Sequence, residues 1–169
     1  LAVSNGIEIE HKYLIEYPDR DMLLGMPGAS SAVISQTYIK SAAGSTERAR
    51  KWEQDGQVTY YHTVKRRISD MSHFEDETEI TAEEYERLLE RKKKKSSEIV
   101  KERIMIPYGG RVVEVDLFRF WDDRAVAEVE VLSEDEEPAL PDCIKVIREV
   151  TDDGRYKNAS LAYDHSFPV

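Results

Sequence analysis

The stretch Ile7-Glu8-Ile9-Glu10-His11-Lys12 decides how the rest of the chain is read. Side chains of an extended strand point alternately to its two faces. Glu8, Glu10 and Lys12 therefore share one face, and Ile7, Ile9 and His11 the other. The same arrangement returns along the chain. Arg48 and Arg50 share a face, as do Lys65 and Arg67, Glu75 and Glu77, Glu114 and Asp116, and Glu128 and Glu130.

Eight segments read as strands, at about 6–16, 33–40, 46–53, 57–68, 73–80, 98–106, 111–120 and 125–132, and six of them carry such charged pairs. Asp55-Gly56 and Gly109-Gly110 are hairpin turns between neighbouring runs. Residues 18–31 read as a loop with room for a helical turn. Thr81 as N-cap and Glu84 three residues on form a capping box, and Tyr85, Leu88 and Leu89 supply the apolar stripe of a helix that Lys92 to Lys95 end. A second short helix is expected near 142–148, after Pro141. Residues 133–137 form an acidic loop, and the last few residues are expected to trail off.

A charged strand face has two readings. Each strand alone fits an open antiparallel sheet with its charges in water. Taken together, acidic pairs and basic pairs sit on separate strands at similar depth, which fits a sheet closed on itself around a polar interior. The fold expected is α+β but β-dominated: one domain spanning 1–169, an eight-stranded antiparallel closed β-tunnel with a few flanking helices. Like charges gathered in such an interior need counter-ions. The basic pairs imply a bound polyanion, for which arginine forks and lysines suit phosphate oxygens. The acidic pairs imply metal cations. Without a cysteine cluster or a histidine pair at ligand spacing, these are hard ions, Mg²⁺ or Mn²⁺ before zinc.

Composition sets the outer bounds. The 169 residues hold 24 Lys and Arg against 34 Asp and Glu, a net charge of −10, which disfavours nucleic acid or an anionic membrane as the main partner. The lone Cys143 rules out an internal disulfide and makes the cytoplasm the default location. No apolar run reaches the ~20 residues of a membrane-spanning helix, and no signal-peptide pattern opens the sequence. No phosphate-binding G-x-x-x-x-G-K loop, G-x-S-x-G elbow or dinucleotide G-x-G-x-x-G is present.

These residues resemble, in order, the CYTH superfamily, also called triphosphate tunnel metalloenzymes, which includes inorganic triphosphatases, thiamine triphosphatases and class IV adenylyl cyclases. Glu8-Ile9-Glu10-His11-Lys12 is similar to its N-terminal E-x-E-x-K, Gln36-Thr37-Tyr38 to its Q-x-Y, Arg48-Ala49-Arg50 to its R-x-R and Thr63-Val64-Lys65 to its T-x-K. Glu75-Asp76-Glu77 and Glu128-Val129-Glu130 are similar to its two later E-x-E strands. Residues 149–158 resemble its E-V-T…R-Y-x-N ending. Two positions depart from the pattern: Arg124-Ala125 stands where Gly-Leu is usual, and Pro141 to Arg148 replaces P-x-W-L-G.

The resemblance implies a metal-dependent triphosphatase. Glu8, Glu10, Asp116, Glu128 and Glu130 would hold one or two divalent ions. Lys12, Arg48, Arg50, Lys65, Arg67, Arg103 and Lys157 would bind the phosphates of triphosphate or a nucleoside triphosphate, with Lys12, Lys65 and Glu10 nearest the chemistry. A class IV-like cyclase making cyclic AMP from ATP is the alternative within the family, and a non-catalytic polyphosphate or nucleotide sensor the alternative outside enzymes. The protein would act as a monomer or homodimer. Trp52 and Trp121 are the candidates for the aromatic platform that a thiamine triphosphatase would need at the mouth, but read first as outer packing residues. Glu75 and Glu77 fit a purely structural pairing with the basic strands equally well.

Overall fold

The computed structural model describes residues 2–169, with side chains from Gly6 onward. Its frame is a closed barrel of eight antiparallel strands. They are β1 (Ala2–Glu16), β2 (Ser30–Ile39), β3 (Ser45–Gln54), β4 (Gln57–Arg67), β5 (Ser72–Ile80), β6 (Ile99–Tyr108), β7 (Arg111–Phe118) and β8 (Arg124–Val131). Hydrogen-bonded neighbours run β5-β4-β3-β2-β6-β7-β8-β1, and β1 then pairs with β5 to close the ring. All eight strands expected from the alternation are present. Both two-residue hairpins take positive φ at both positions, 51° and 76° at Asp55-Gly56 and 58° and 77° at Gly109-Gly110. That geometry matches the twist of the flanking strands.

A ninth strand, β9 (Val146–Glu149), was not expected. The helix anticipated near 142–148 is instead a turn, closed by Ile144 N–H donating to Pro141 O at 3.0 Å, followed by this strand. The cause lies in β1. It pairs with β5 only up to Ile9, so its second half leaves an edge open. Glu10 N–H still donates to Met71 O beside β5, whereas Glu16 N–H, on the same edge, donates to Lys145 O. β9 fills the vacated edge through Tyr13 to Ile15. A local pattern of charges and aliphatics gives way to an unpaired ladder elsewhere in the chain.

Among the described residues three short α-helices, α1 (Arg20–Leu24), α2 (Ala82–Leu89) and α3 (Asn158–Leu161), and one 3-10 turn at Gly154–Tyr156 complete the fold. The capping box of α2 is present in both directions, Glu84 N–H to Thr81 Oγ1 at 3.1 Å and Thr81 N–H to Glu84 Oε2 at 3.0 Å. Tyr85 is the buried anchor of its apolar face.

Two apolar clusters position the site. On the outer face of β6-β7-β8-β1, Ile15, Ile104, Ile106, Val113, Val115 and Val129 are fully buried beneath Leu23 of α1 and Ile144 of the turn. Each such side chain contributes about 1.5–3 kcal/mol relative to exposure. The second cluster lies on the inward face. Leu14, Phe118 and Val126 pack with Trp121, Tyr156 and Leu161 at one end of the barrel. The interior is thus charged along part of its length and filled with hydrocarbon along the rest, and the C-terminal segment covers that end. Its last residues do not trail off, because Phe167 packs edge-on to Tyr156 with centroids 5.3 Å apart. No helix is long and apolar enough to cross a membrane among the described residues.

Candidate active site

The charged part of the interior is a cavity of about 480 Å³, within the range that suits a small ligand. Glu8, Glu10, Lys12, Arg48, Arg50, Lys65, Arg67, Arg103, Glu128, Glu130 and Lys157 all line it. Eight of the chain's 24 basic side chains and eight of its 34 acidic ones face this space. The interior is therefore balanced in a chain that is acidic overall, and the excess negative charge lies outside.

Strand register sorts the charges. Lys12 stands directly opposite Glu128, Lys65 opposite Glu75 and Arg103 opposite Asp116, so these pairs neutralise one another. Lys65 Nζ lies 3.1 Å from Glu8 and 3.2 Å from Glu75, and Arg48 lies 3.5 Å from Glu77. Glu75 and Glu77 thus brace the basic strands. Two further pairs set like charge opposite like; Glu114 and Glu128 are relieved by Arg103 and Lys12, whereas Glu10 and Glu130 have no basic side chain within ion-pair distance among the described residues. Glu10 faces Glu130 across β1 and β8, and Glu114 faces Glu128 across β7 and β8. Like charges directly opposite are destabilising. They form an acidic band on three adjacent strands.

The electrostatics follow. Burial, with Glu128 and Glu8 close by, pushes the Glu10 carboxyl up to about 8. Burial and neighbouring Glu75 push Glu8 to about 7 against the pull of Lys65. Among the described residues Glu8 Oε2 is buried without a hydrogen bond despite its proximity to Lys65. Glu130, at the open end, is also raised by burial and by Glu114 and Glu75. Glu128 goes the other way, held low by Lys12, Arg103 and Lys101 against burial.

Among the cations Arg50 stands apart. It is buried, and its Nε and Nη2 donate to the neutral amide oxygen of Gln36 at 3.1 and 2.8 Å rather than to a carboxylate. Burial, with Arg48 and Arg103 nearby, lowers its pKa to about 10. Lys157 is lowered by burial and by Arg67 and Lys12. Both are cations whose surroundings do not neutralise them, which is the condition for binding an anion.

Several expected site residues sit differently from the rest. Asp116 does not line the cavity. Its two oxygens are taken by Lys101 Nζ at 2.6 Å and by Arg103 Nε and Nη2 at 2.8 and 2.9 Å, and it is fully buried behind the wall. Glu114, two residues nearer the opening on the same face, takes the exposed place. Arg103 also donates to Glu114 at 2.7 Å, so it is largely committed to protein carboxylates. Arg67 is at the rim, paired with Asp70 at 2.6 Å.

Reading the sequence missed Lys101, which shares its face with Arg103 and could have been found by the same two-residue spacing. It missed His73 as well. This ring lines the cavity with its Nδ1 buried and unpaired among the described residues, and burial and Lys65 lower its pKa to about 4. Trp52 also faces the cavity, and Trp121 packs in the apolar end on the inward face, so neither is the outer packing residue it was read as. Tyr38 is a buried hydrogen-bonding residue, receiving Gln36 Nε2 at 3.1 Å.

The donors suit a hard cation by chemistry: all are carboxylate oxygens, and the acidic band lacks enough positive charge. The set is not assembled, however. Among the described residues no three Asp, Glu, His or Cys side chains are gathered to hold an ion as they stand. Rotation of Glu8, Glu10 or Glu130 within the cavity would be needed.

No family model and no curated protein matches this sequence. Solved structures do. The inorganic triphosphatase NE1496 is 26% identical over 96% of this chain and 97% of its own, with a TM-score of 0.58. A conserved hypothetical protein from Pyrococcus furiosus shares the fold at 21% identity over 76% of this chain and 80% of its own, TM-score 0.59. HpAC1 from Hippeastrum, a candidate adenylyl cyclase with a dominant triphosphatase activity, does so at 16% over 74% and 80%, TM-score 0.51. With its eight strands closed around a charged interior and a near full-length likeness to NE1496, the chain belongs to the CYTH, or triphosphate tunnel, superfamily.

Proposed function

We propose that the protein is a divalent-metal-dependent triphosphatase that hydrolyses inorganic triphosphate or a related triphosphate within the tunnel. The observation that carries this reading is the pairing of two deficits in one cavity: Arg50, a buried cation without a carboxylate partner among the described residues, and the band of opposed glutamates. A polyanion meets the first and cations meet the second. NE1496, the neighbour similar over nearly its whole length, is an inorganic triphosphatase.

Glu8, Glu10, Glu128 and Glu130 would hold one or two ions, Mg²⁺ or Mn²⁺, while Asp116 serves Arg103 and Lys101 instead. Such an ion neutralises phosphate oxygens and lowers the pKa of bound water. The chain's own groups do the rest. Arg48 and Arg50 lie side by side on β3 and receive phosphate oxygens as forked donors. Lys12 and Lys65 flank Glu10 and Glu8, where charge on the departing phosphate is stabilised by fixed ammonium groups. Lys157 and Arg67 close the rim of the cavity toward the C-terminal segment. Arg103, braced by three carboxylate contacts, orients the wall more than it binds substrate.

The test is phosphate release from triphosphate, ATP and thiamine triphosphate with Mg²⁺ and with Mn²⁺, while cyclic AMP is followed. Triphosphate hydrolysed in preference to ATP supports the proposal. Efficient cyclic AMP production would replace it with the cyclase reading, and binding without turnover would mark a sensor.

A further inference from the structure

Gln36 is fully buried on β2, opposite Arg50 in the register of β2 and β3. It makes four hydrogen bonds to three side chains and satisfies them in one orientation only. Its Oε1 receives two donors of Arg50, at 2.8 and 3.1 Å. Its Nε2 donates to Tyr38 Oη at 3.1 Å and to Asn158 Oδ1 at 3.3 Å. Flipping the amide would set its NH₂ against the guanidinium and its oxygen against the Asn158 oxygen, donor on donor and acceptor on acceptor. Asn158 Oδ1 is fixed in turn by Lys101 Nζ at 2.9 Å. The guanidinium plane of Arg50 is therefore held by a chain of contacts that begins at Asp116 and passes through Lys101, Asn158 and Gln36.

The chemistry of this holder is unlike that of the other cations deep in the tunnel. Lys12, Lys65, Arg48, Lys101 and Arg103 each face a carboxylate. A carboxylate would accept the same two donors of Arg50 and would bind it more tightly. It would also cancel the charge. A neutral amide oxygen fixes direction while leaving the positive charge unspent.

We infer that Gln36 is a positioning residue that holds Arg50 oriented but not neutralised, reserving its charge for a phosphate of the substrate. This rests on the proposed binding of a triphosphate in the tunnel. Gln36 itself touches no substrate. Its effect is exerted through Arg50, and the neutrality of its side chain matters as much as its shape.

The test measures the Kd for inorganic triphosphate by titration calorimetry, and kcat and KM for its hydrolysis, in the wild type, Gln36→Glu and Gln36→Met. Circular dichroism checks the fold of each. Glu keeps the size and the acceptor but adds the charge, so Kd and KM are expected to rise about tenfold or more. Met leaves the charge bare but releases the guanidinium. Its Kd is expected to stay within about threefold, while kcat falls at least about tenfold because the contact is no longer aimed at the reacting phosphate. Gln36→Glu binding triphosphate as tightly as the wild type, or no more weakly than Gln36→Met, would overturn the inference. Where the buried carboxylate blocks folding, a wild-type kcat in Gln36→Met overturns it instead. Failure of the wild type itself to bind triphosphate defeats the functional reading, a result distinct from either.

Discussion

Replacing Glu10 with Gln should stabilise the protein when no metal is present, the opposite of what removal of an ordinary surface charge does. Glu10 faces Glu130 across the β1–β8 ladder, and burial among Glu128 and Glu8 raises its carboxyl from 4.5 to about 8. For a carboxylate the sign follows directly. The folded state keeps the proton longer than the unfolded chain does, so stability is lost as pH rises above 4.5 and the loss is complete only above about 8. At pH 7 the unfolded carboxyl is ~2.5 pH units past its pKa and the folded one is still mostly protonated. At ~1.4 kcal/mol per unit the cost is about 3 kcal/mol. Glutamine has the size of the protonated acid and no charge, so it removes that cost. For a chain of this length the gain corresponds to a Tm about 6–12 °C higher. The assay is thermal unfolding of wild type and Glu10→Gln in EDTA, from pH 5 to pH 8. The gap should be small near pH 5 and widen toward pH 8. Excess Mg²⁺ should narrow or invert it, because only the wild type gains from binding the ion. A variant that melts at or below the wild type at pH 7 in EDTA, or a gap indifferent to pH, would refute the idea that the acidic band is held in want of a cation.

Further outcomes follow from the same site. Arg50→Ala should lower kcat/KM for triphosphate about ten- to a hundredfold, the worth of a charge-assisted contact of ~1.5–3 kcal/mol, measured by phosphate release. Because Glu8 and Glu10 titrate at about 7 and about 8, metal binding should release protons near pH 7. Apparent metal affinity should climb between pH 6 and 8 and level off above, as read by calorimetry in buffers of different ionisation enthalpy. At the apolar end, Phe167→Ala should cost about 1–3 kcal/mol by removing ring contacts with Tyr156 and Trp121, visible as a lower urea midpoint at unchanged m. Asp116→Asn should lower stability more than it lowers metal affinity, since that carboxylate meets Lys101 and Arg103 rather than the cavity.

The two-residue alternation along β1, β3, β4, β5, β7 and β8 was enough to determine the strands, the shared faces and the charged interior. Strand geometry is local, and a charge at i and i+2 has nowhere else to point. The two positive-φ hairpins and the capping box of α2 were legible for the same reason, being fixed by neighbours within four residues. What alternation leaves open is depth along a face. Glu114 and Asp116 are equivalent by parity, yet one lines the cavity and the other is sealed behind it by Lys101 and Arg103. Leu14 and Lys12 likewise share a face, and one sits in hydrocarbon while the other meets Glu128. Those differences come from which strand lies opposite and from where the C-terminal segment packs: the neighbouring strand of the β6–β7 hairpin seals Asp116, while Lys12 and Leu14 are sorted by contacts more than a hundred residues away in the chain. β9 belongs with them, since its conformation answers an edge of β1 that β5 leaves bare. So does Arg50: the sequence determined that it faces inward, but only the closed barrel decided that an amide, and not a carboxylate, would stand against it.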